Sequence, residues 1–245
     1  MKFGVLLLAL GAGGYLFWRY VWFWRNPART TPPGLNVVSP ADGTVVYVKK
    51  VQPQEKVIAL KKGLAVSVND ITRQDLQVPK LLIGVFMSPF DVHYNRMPVT
   101  GRIKAIRHYP ALGRNRHMGF MHWRALRKRR PIYRGSLHIS TNERTVIMFQ
   151  SRFGQHEING YIVQIGGRSV NGIDTFVRVG QVVPKGETFG MIRIGSQVDL
   201  VLTWLPEMEV LVQPGDKVYA GETILIKARE ADSDHPAVPQ PSSSE

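Results

Sequence analysis

A mainly β domain carried behind one apolar N-terminal helix is the fold this sequence predicts, and three observations predict it. From Val37 onward the chain is a succession of short runs rich in alternation and β-branched residues, among them "GTVVYVKKV", "LLIGVFM", "TVIMFQS" and "MIRIGSQVDLVL". Glycine or proline cuts these runs apart, and long stretches of helical period are few, which is the pattern of strands and tight turns. The first residues read "FGVLLLALGAGGYLFWRYVWFW" instead, an apolar run with Arg19 as its one charge. Finally, "FVRVGQVVPKGETFGMI" (176–192) resembles "EVLVQPGDKVYAGETILI" (209–226), each reading strand, glycine turn, Gly-Glu-Thr, strand.

The apolar run, residues 3–24, comes first in the chain. At ~1.5 Å rise per residue it can span a hydrocarbon core of ~30 Å. Trp18, Tyr20, Trp22 and Trp24 suit an interfacial aromatic belt. Arg19 lies near the end of the run, Arg25 and Arg29 follow it and only Lys2 precedes it, so the positive-inside rule places the C-terminal domain on the cytoplasmic side of the cell's inner membrane. A cleaved signal peptide would need an early basic region and a small-residue exit; the aromatic, Arg-rich exit favours a retained anchor, spanning or lying in the membrane.

The expected organisation is therefore an anchor helix over 1–25, a Pro-rich linker over 26–36, a mainly β domain over 37–228 and a disordered polar tail over 229–245. The domain is read as a β-sandwich or barrel-like body with minor helix, its repeated segments being lipoyl- or biotinyl-like hairpin half-motifs whose glycines supply the turns.

Composition narrows the chemistry. There is no cysteine, which excludes disulfides, thiolate nucleophiles and cysteine-based zinc sites. A net charge of +14 calls for an anionic partner, nucleic acid or an anionic membrane. The stretch 113–134, "GRNRHMGFMHWRALRKRRPIYR", interleaves arginines and lysines with aromatics. It suits a loop or short helix on lipid headgroups, or single-stranded nucleic acid; an anchor on the same chain favours lipid and no nucleic acid.

Three stretches carry reactive groups: "SPADGTV" with Asp42, "MSPFDVHYNRMPVTGRI" with Asp91, His93, Asn95 and Arg96, and "FGMIRIGSQVD" with Gly195-Ser196. A carboxylate, an imidazole and a hydroxyl are the parts of an activated nucleophile, although spacing alone does not bring them together.

The ordered set "SPADG", "SPFDVHYNRMPVTG", "NER", "KGETFGMIRIGSQVD" and "VQPGDKVYAGETIL" resembles the phosphatidylserine decarboxylase family in its short form, over most of the chain from Ser39 to Ile226. The resemblance implies a proenzyme that cuts itself between Gly195 and Ser196. Ser196 attacks the Gly195 carbonyl, and elimination and hydrolysis leave a pyruvoyl group made from Ser196 itself. Residues 1–195 become the β chain and 196–245 the α chain, a heterodimer whose further oligomerisation stays open. The pyruvoyl then forms a Schiff base with phosphatidylserine and releases CO2 to give phosphatidylethanolamine, with no metal. The roles implied are Ser196 as nucleophile, His93 as base, Asp42 as the orienter of that base, and Arg96 and Asn95 as substrate-binding.

One departure stands out. The family's long bacterial form has a second histidine where this chain has Arg96, so either His93 acts alone or one of His108, His117, His122, His138 and His156 assists. Two other readings remain: a membrane-anchored adaptor with lipoyl-like modules and no catalysis, and a decarboxylase of another serine phospholipid, archaetidylserine-like.

Overall fold

The computed structural model describes residues 2–245 except 53–54, 62–63, 73–78, 169–171, 194 and 230–245. The tail expected from 229 onward lies, Arg229 apart, outside the described residues. The apolar run forms α1 (Lys2–Phe17), continued by a π-helical turn over Trp18–Trp22. Together they make a 21-residue helix whose most apolar 18-residue stretch has a mean hydropathy of 1.3, long and apolar enough to cross a membrane.

The strands follow in chain order. The first half holds β1 (Asn36–Val38), β2 (Gly43–Val51), β3 (Lys56–Lys61), β4 (Leu64–Ser67), β5 (Lys80–Met87), β6 (Tyr94–Arg96) and β7 (Gly101–Tyr109). The centre holds β8 (Arg144–Phe153), β9 (His156–Gly166), β10 (Ile173–Thr175), β11 (Val182–Val183) and β12 (Thr188–Ile192). The end holds β13 (Ser196–Thr203), β14 (Met208–Val210), β15 (Lys217–Val218) and β16 (Ile224–Ala228). Among the described residues three short helices interrupt them: α2 (Val68–Thr72), α3 (Gly119–Leu126) and α4 (His138–Thr141). One or two such helices are expected from the sequence; segments of four to eight residues are too short to display a helical period.

The body is mainly β, built on a curled, eight-stranded antiparallel sheet of order β11-β7-β8-β9-β13-β5-β2-β15. Two three-stranded sheets, β10-β12-β6 and β1-β16-β14, and the β3-β4 hairpin complete it. The two similar segments take matching places. β11 and β15 are the opposite edges of the large sheet, while β12 and β16 are the central strands of the two small ones.

β5 shows why both faces of the large sheet need cover. All eight of its residues are buried. Leu81, Ile83, Val85 and Met87 enter one core, and Leu82 and Phe86 the other, the two-residue period of a strand. The first core packs the sheet against Val37 of β1, Phe189 and Ile192 of β12, and Leu225 and Ile226 of β16. The second packs its other face against Ile71 of α2, Met121 of α3 and Ile139 of α4. Each such side chain gains about 1.5–3 kcal/mol by burial, so an unbroken apolar run is stable here because both sides are roofed.

The Pro-rich stretch 26–36 is tied down by side chains. Arg29 bridges Asp42 at 2.8 Å and Glu222 at 2.7 Å, and Asn26 Oδ1 accepts a 2.7 Å hydrogen bond from Arg96. Its prolines have no N–H to offer a strand, which leaves this work to Arg29, Asn26 and their partners.

Candidate active site

β12 lies in a small sheet and β13 in the middle of the large one, so the chain must change sheets within residues 193–195. Gly195 makes the change at φ +66°, the left-handed region open to glycine. A Cβ at Gly195 would meet nothing within 4 Å, so rotation of the backbone, not lack of space, is what calls for glycine there. Space is the issue at Gly167, where a Cβ would run into the Gly195 carbonyl oxygen. Arg193 ties the turn down with two hydrogen bonds of 2.9 Å to Asp174. Gly167→Ala is therefore expected to displace the carbonyl next to Ser196 and slow any reaction there by roughly 100-fold, as ångström-scale misplacement of reacting atoms does. The cut fraction against time on a denaturing gel checks this; an unchanged rate would show that the carbonyl's position does not matter.

Ser196 is fully buried at the head of β13, opposite Met87 of β5 and Gly166 of β9. Its hydroxyl donates to the Met87 thioether, 3.3 Å away. A thioether is a weak acceptor, so the hydroxyl is lightly held. Asn95 shares that sulfur through Nδ2 at 3.8 Å, and its Oδ1 accepts from Gln164 Nε2 at 2.8 Å. Asn142 of the "NER" stretch holds the facing strand by donating to the Gly166 carbonyl at 2.7 Å. Arg144, fully buried, donates to the carbonyls of Ile71, Ile139 and Asn142; those acceptors offset the cost of its desolvation.

His93 is also fully buried, just before β6, and its carbonyl receives the N–H of Ile192 from β12. Its Nδ1 lies 2.9 Å from the Asp91 carbonyl. A carbonyl only accepts, so Nδ1 carries the proton and Nε2 keeps a lone pair. That Nε2 is buried with no hydrogen-bond partner among the described residues. Burial lowers the imidazole pKa to about 4, against the opposing pull of the Asp91 carbonyl. The ring is therefore neutral at physiological pH and able to take a proton. Phe23, just beyond the apolar helix, packs its ring 4.5 Å from this imidazole.

The expected site residues are thus only partly assembled. Ser196 and Asn95 meet at Met87, and His93 directly precedes β6, the strand of Asn95, but Ser196 and His93 are not hydrogen-bonded to each other. Asp42, expected to orient His93, accepts instead from Arg29 and from the Ala220 N–H at 2.7 Å. The ring's orienting partner is the Asp91 backbone. Burial raises the Asp42 pKa even so, outweighing the Ala220 N–H and Arg29. Arg96, expected to bind substrate, gives its guanidinium to Gly186, Asn26 and Pro27. Of the other histidines, His108 contacts Thr145, His156 pairs with Glu207, and His117 and His122 border the Gly195 cavity described below.

His138 belongs to a buried polar cluster on the opposite face of β13, which sequence reasoning missed. It bonds Gln197 at 3.1 Å, and Gln197 Nε2 donates to Tyr47 Oη at 2.6 Å and Asp199 Oδ1 at 2.7 Å. Burial lifts Asp199 to about 6, lowers His138 to about 4 and raises Tyr47 well above the usual phenol value. The alternation "SQVD" held a signal, since polar residues recur every second position in a strand with both faces covered.

A cavity of about 190 Å³ opens on Gly195. Phe86, Pro89, Met118 and Trp123 give it apolar walls, and His117, His122 and Arg168 border it.

The molecule is thus a mainly β chain with a Gly-Ser turn whose serine is buried and whose glycine opens on a cavity. A model of the phosphatidylserine decarboxylase family matches residues 16–226. The chain is 35% identical over 213 residues to the phosphatidylserine decarboxylase proenzyme of Nitrobacter winogradskyi, covering 86% of this chain and 70% of that one. It is 32% identical over 206 residues to the proenzyme of Pelobacter propionicus, covering 84% and 74%. With that of Azorhizobium caulinodans the identity is 35% over 219 residues, covering 87% and 75%. The chain belongs to the phosphatidylserine decarboxylase family, a family of carboxy-lyases.

Proposed function

We propose that this chain is a proenzyme that cuts itself between Gly195 and Ser196 and then decarboxylates phosphatidylserine to phosphatidylethanolamine. The observation that carries the reading is the turn itself: Gly195 at φ +66°, its carbonyl lodged against side-chain-free Gly167, directly before a buried serine. Ser196 Oγ attacks the Gly195 carbonyl carbon and the C–N bond breaks. The hydroxyl proton passes to the released nitrogen, His93 Nε2 serving as the base that carries it. Elimination across Cα–Cβ of Ser196 frees residues 1–195 as a carboxylate. Water then hydrolyses the dehydroalanine, releasing ammonia.

The residues around Ser196 fit the pyruvoyl group that results. Met87, Asn95 and Gln164 keep its surroundings buried, and the cavity at Gly195 gives a substrate a way in. That group supplies a ketone that condenses with the substrate amine and accepts the electron pair left by CO2. In this reading His93 returns a proton to the product carbon, and no metal ligand set is needed. Asn95 borders the reacting position, while Arg96 holds the Pro-rich stretch at Asn26 and Pro27. The two chains stay together as a heterodimer, because β13 of the α chain lies between β5 and β9 of the β chain.

The apolar helix anchors the protein in the inner membrane with the domain over 37–228 on the cytoplasmic side, where phosphatidylserine in an anionic membrane surface is the partner. The test is release of CO2 from phosphatidylserine in detergent micelles by the purified, cut protein. Borohydride, which reduces a ketone, should abolish it. Activity that survives borohydride, or a cut protein with no activity, would overturn the reading. An ether-linked serine phospholipid offers the same headgroup and is compared in the same assay.

A further inference from the structure

We propose that α3 is a second seat on the bilayer, and that the cavity it shares with Gly195 takes an anionic lipid headgroup directly from that surface. The inference borrows from the decarboxylase reading only the identity of the headgroup.

The helix is amphipathic in an unusual sense. Met121 is 1% exposed and packs in the second core, whereas Phe120, Trp123 and Leu126 on the outward arc are 82%, 59% and 63% exposed. Three large apolar side chains at three-residue spacing on one turn-and-a-half of helix are costly in water and suit a lipid interface. Around them the charge has one sign. Between residues 112 and 134 there are eight arginines and lysines and no carboxylate. Arg127 and Lys128 to Arg130, all exposed, follow directly on the helix, and the Arg127 guanidinium lies 5.2 Å from the Trp123 ring. Cations beside an exposed indole match the phosphate level of an anionic leaflet, whose negative surface potential attracts them.

The apolar surface is continuous with the anchor. Trp123 and Pro89 both wall the cavity at Gly195. The next residue, Phe90, is 63% exposed, and its ring stands 6.3 Å from that of Trp18 in the apolar helix. Arg25 closes the corner by donating to the Phe90 carbonyl at 2.6 Å. A bilayer that holds the helix therefore reaches α3 across Phe90, with the cavity between them. His117, His122 and Arg168 at its border are donors for a phosphodiester and a carboxylate, and Phe86 and Met118 suit the glycerol carbons behind them.

The test uses the full chain in vesicles of phosphatidylcholine with phosphatidylglycerol, compared with phosphatidylcholine alone. The difference in emission between wild type and Trp123→Phe isolates Trp123 from the four other tryptophans. Brominated acyl chains are expected to quench that difference signal about twofold or more in anionic vesicles and less in neutral ones. Phe120→Ser with Leu126→Ser should lower turnover of vesicle-borne phosphatidylserine about tenfold, in line with the apolar area withdrawn from lipid. It should leave self-cleavage and turnover of dispersed short-chain phosphatidylserine unchanged.

Trp123 that is quenched by aqueous iodide and not by brominated lipid would overturn the seat. So would an equal loss on both substrates, or shielding of Trp123 by a single-stranded oligonucleotide in place of vesicles. Absence of turnover on every substrate would remove the decarboxylase reading, and the quenching result would still decide the seat.

Discussion

Ser196→Ala is expected to leave one uncut chain and no decarboxylase activity. The variant removes a single oxygen whose contact is the Met87 thioether at 3.3 Å. Because a hydroxyl-to-thioether hydrogen bond is weak, the loss to stability should stay below about 1 kcal/mol, and the variant should fold. Its chemistry, by contrast, is removed entirely: without Oγ there is no nucleophile for the Gly195 carbonyl and no atom from which a ketone can be made. Intact mass of the wild type should show two chains broken between Gly195 and Ser196, the smaller beginning with a pyruvoyl group. The alanine variant should show one. A cut alanine variant would mean that an external protease makes the break, and the self-processing mechanism would fall.

His93→Gln is the second large effect. Glutamine keeps a polar group near the Asp91 carbonyl but lacks the imidazole lone pair, so cleavage should slow by about 10²- to 10⁴-fold, the range of general-base contributions. The pH dependence has a definite sign. With its pKa lowered to about 4 by burial, His93 is already unprotonated well below neutrality. The wild-type cleavage rate should therefore be level from pH 8 to pH 5 and fall as pH drops through about 4. A descent centred near 6.5 would show that a group other than the buried His93 takes the proton. Full-rate cleavage by His93→Gln would remove the base assignment.

Much of the fold was legible because strands whose faces are both covered leave a local mark. "LLIGVFM" and "TVIMFQS" read as strands without knowledge of their neighbours, and they lie in β5 and β8. The helix over residues 2–22 was legible for a similar reason, since hydropathy is summed along the chain. Gly195-Ser196 stood out as glycine and serine inside an apolar alternation, and the structure puts the left-handed turn there.

Pairing between distant residues left no such mark. Asp42 and His93 both looked reactive, yet one accepts from Arg29 and the other from nothing at Nε2 while its Nδ1 faces a backbone carbonyl. A backbone partner has no side chain to announce it. Gly167 reads as an ordinary glycine until the Gly195 carbonyl is seen against it. The Arg96 guanidinium could serve any oxyanion by its chemistry, and only its position beside Asn26 and Pro27 shows it bonded to the Pro-rich stretch. What the sequence determined by itself are properties carried by consecutive residues: strand alternation, the apolar helix, the excess of positive charge and the Gly-Ser turn. Which carboxylate meets which base, which glycine makes room for a carbonyl and which face of α3 stays bare were decided by the tertiary structure, because those contacts join residues tens of positions apart whose types alone allow many partners.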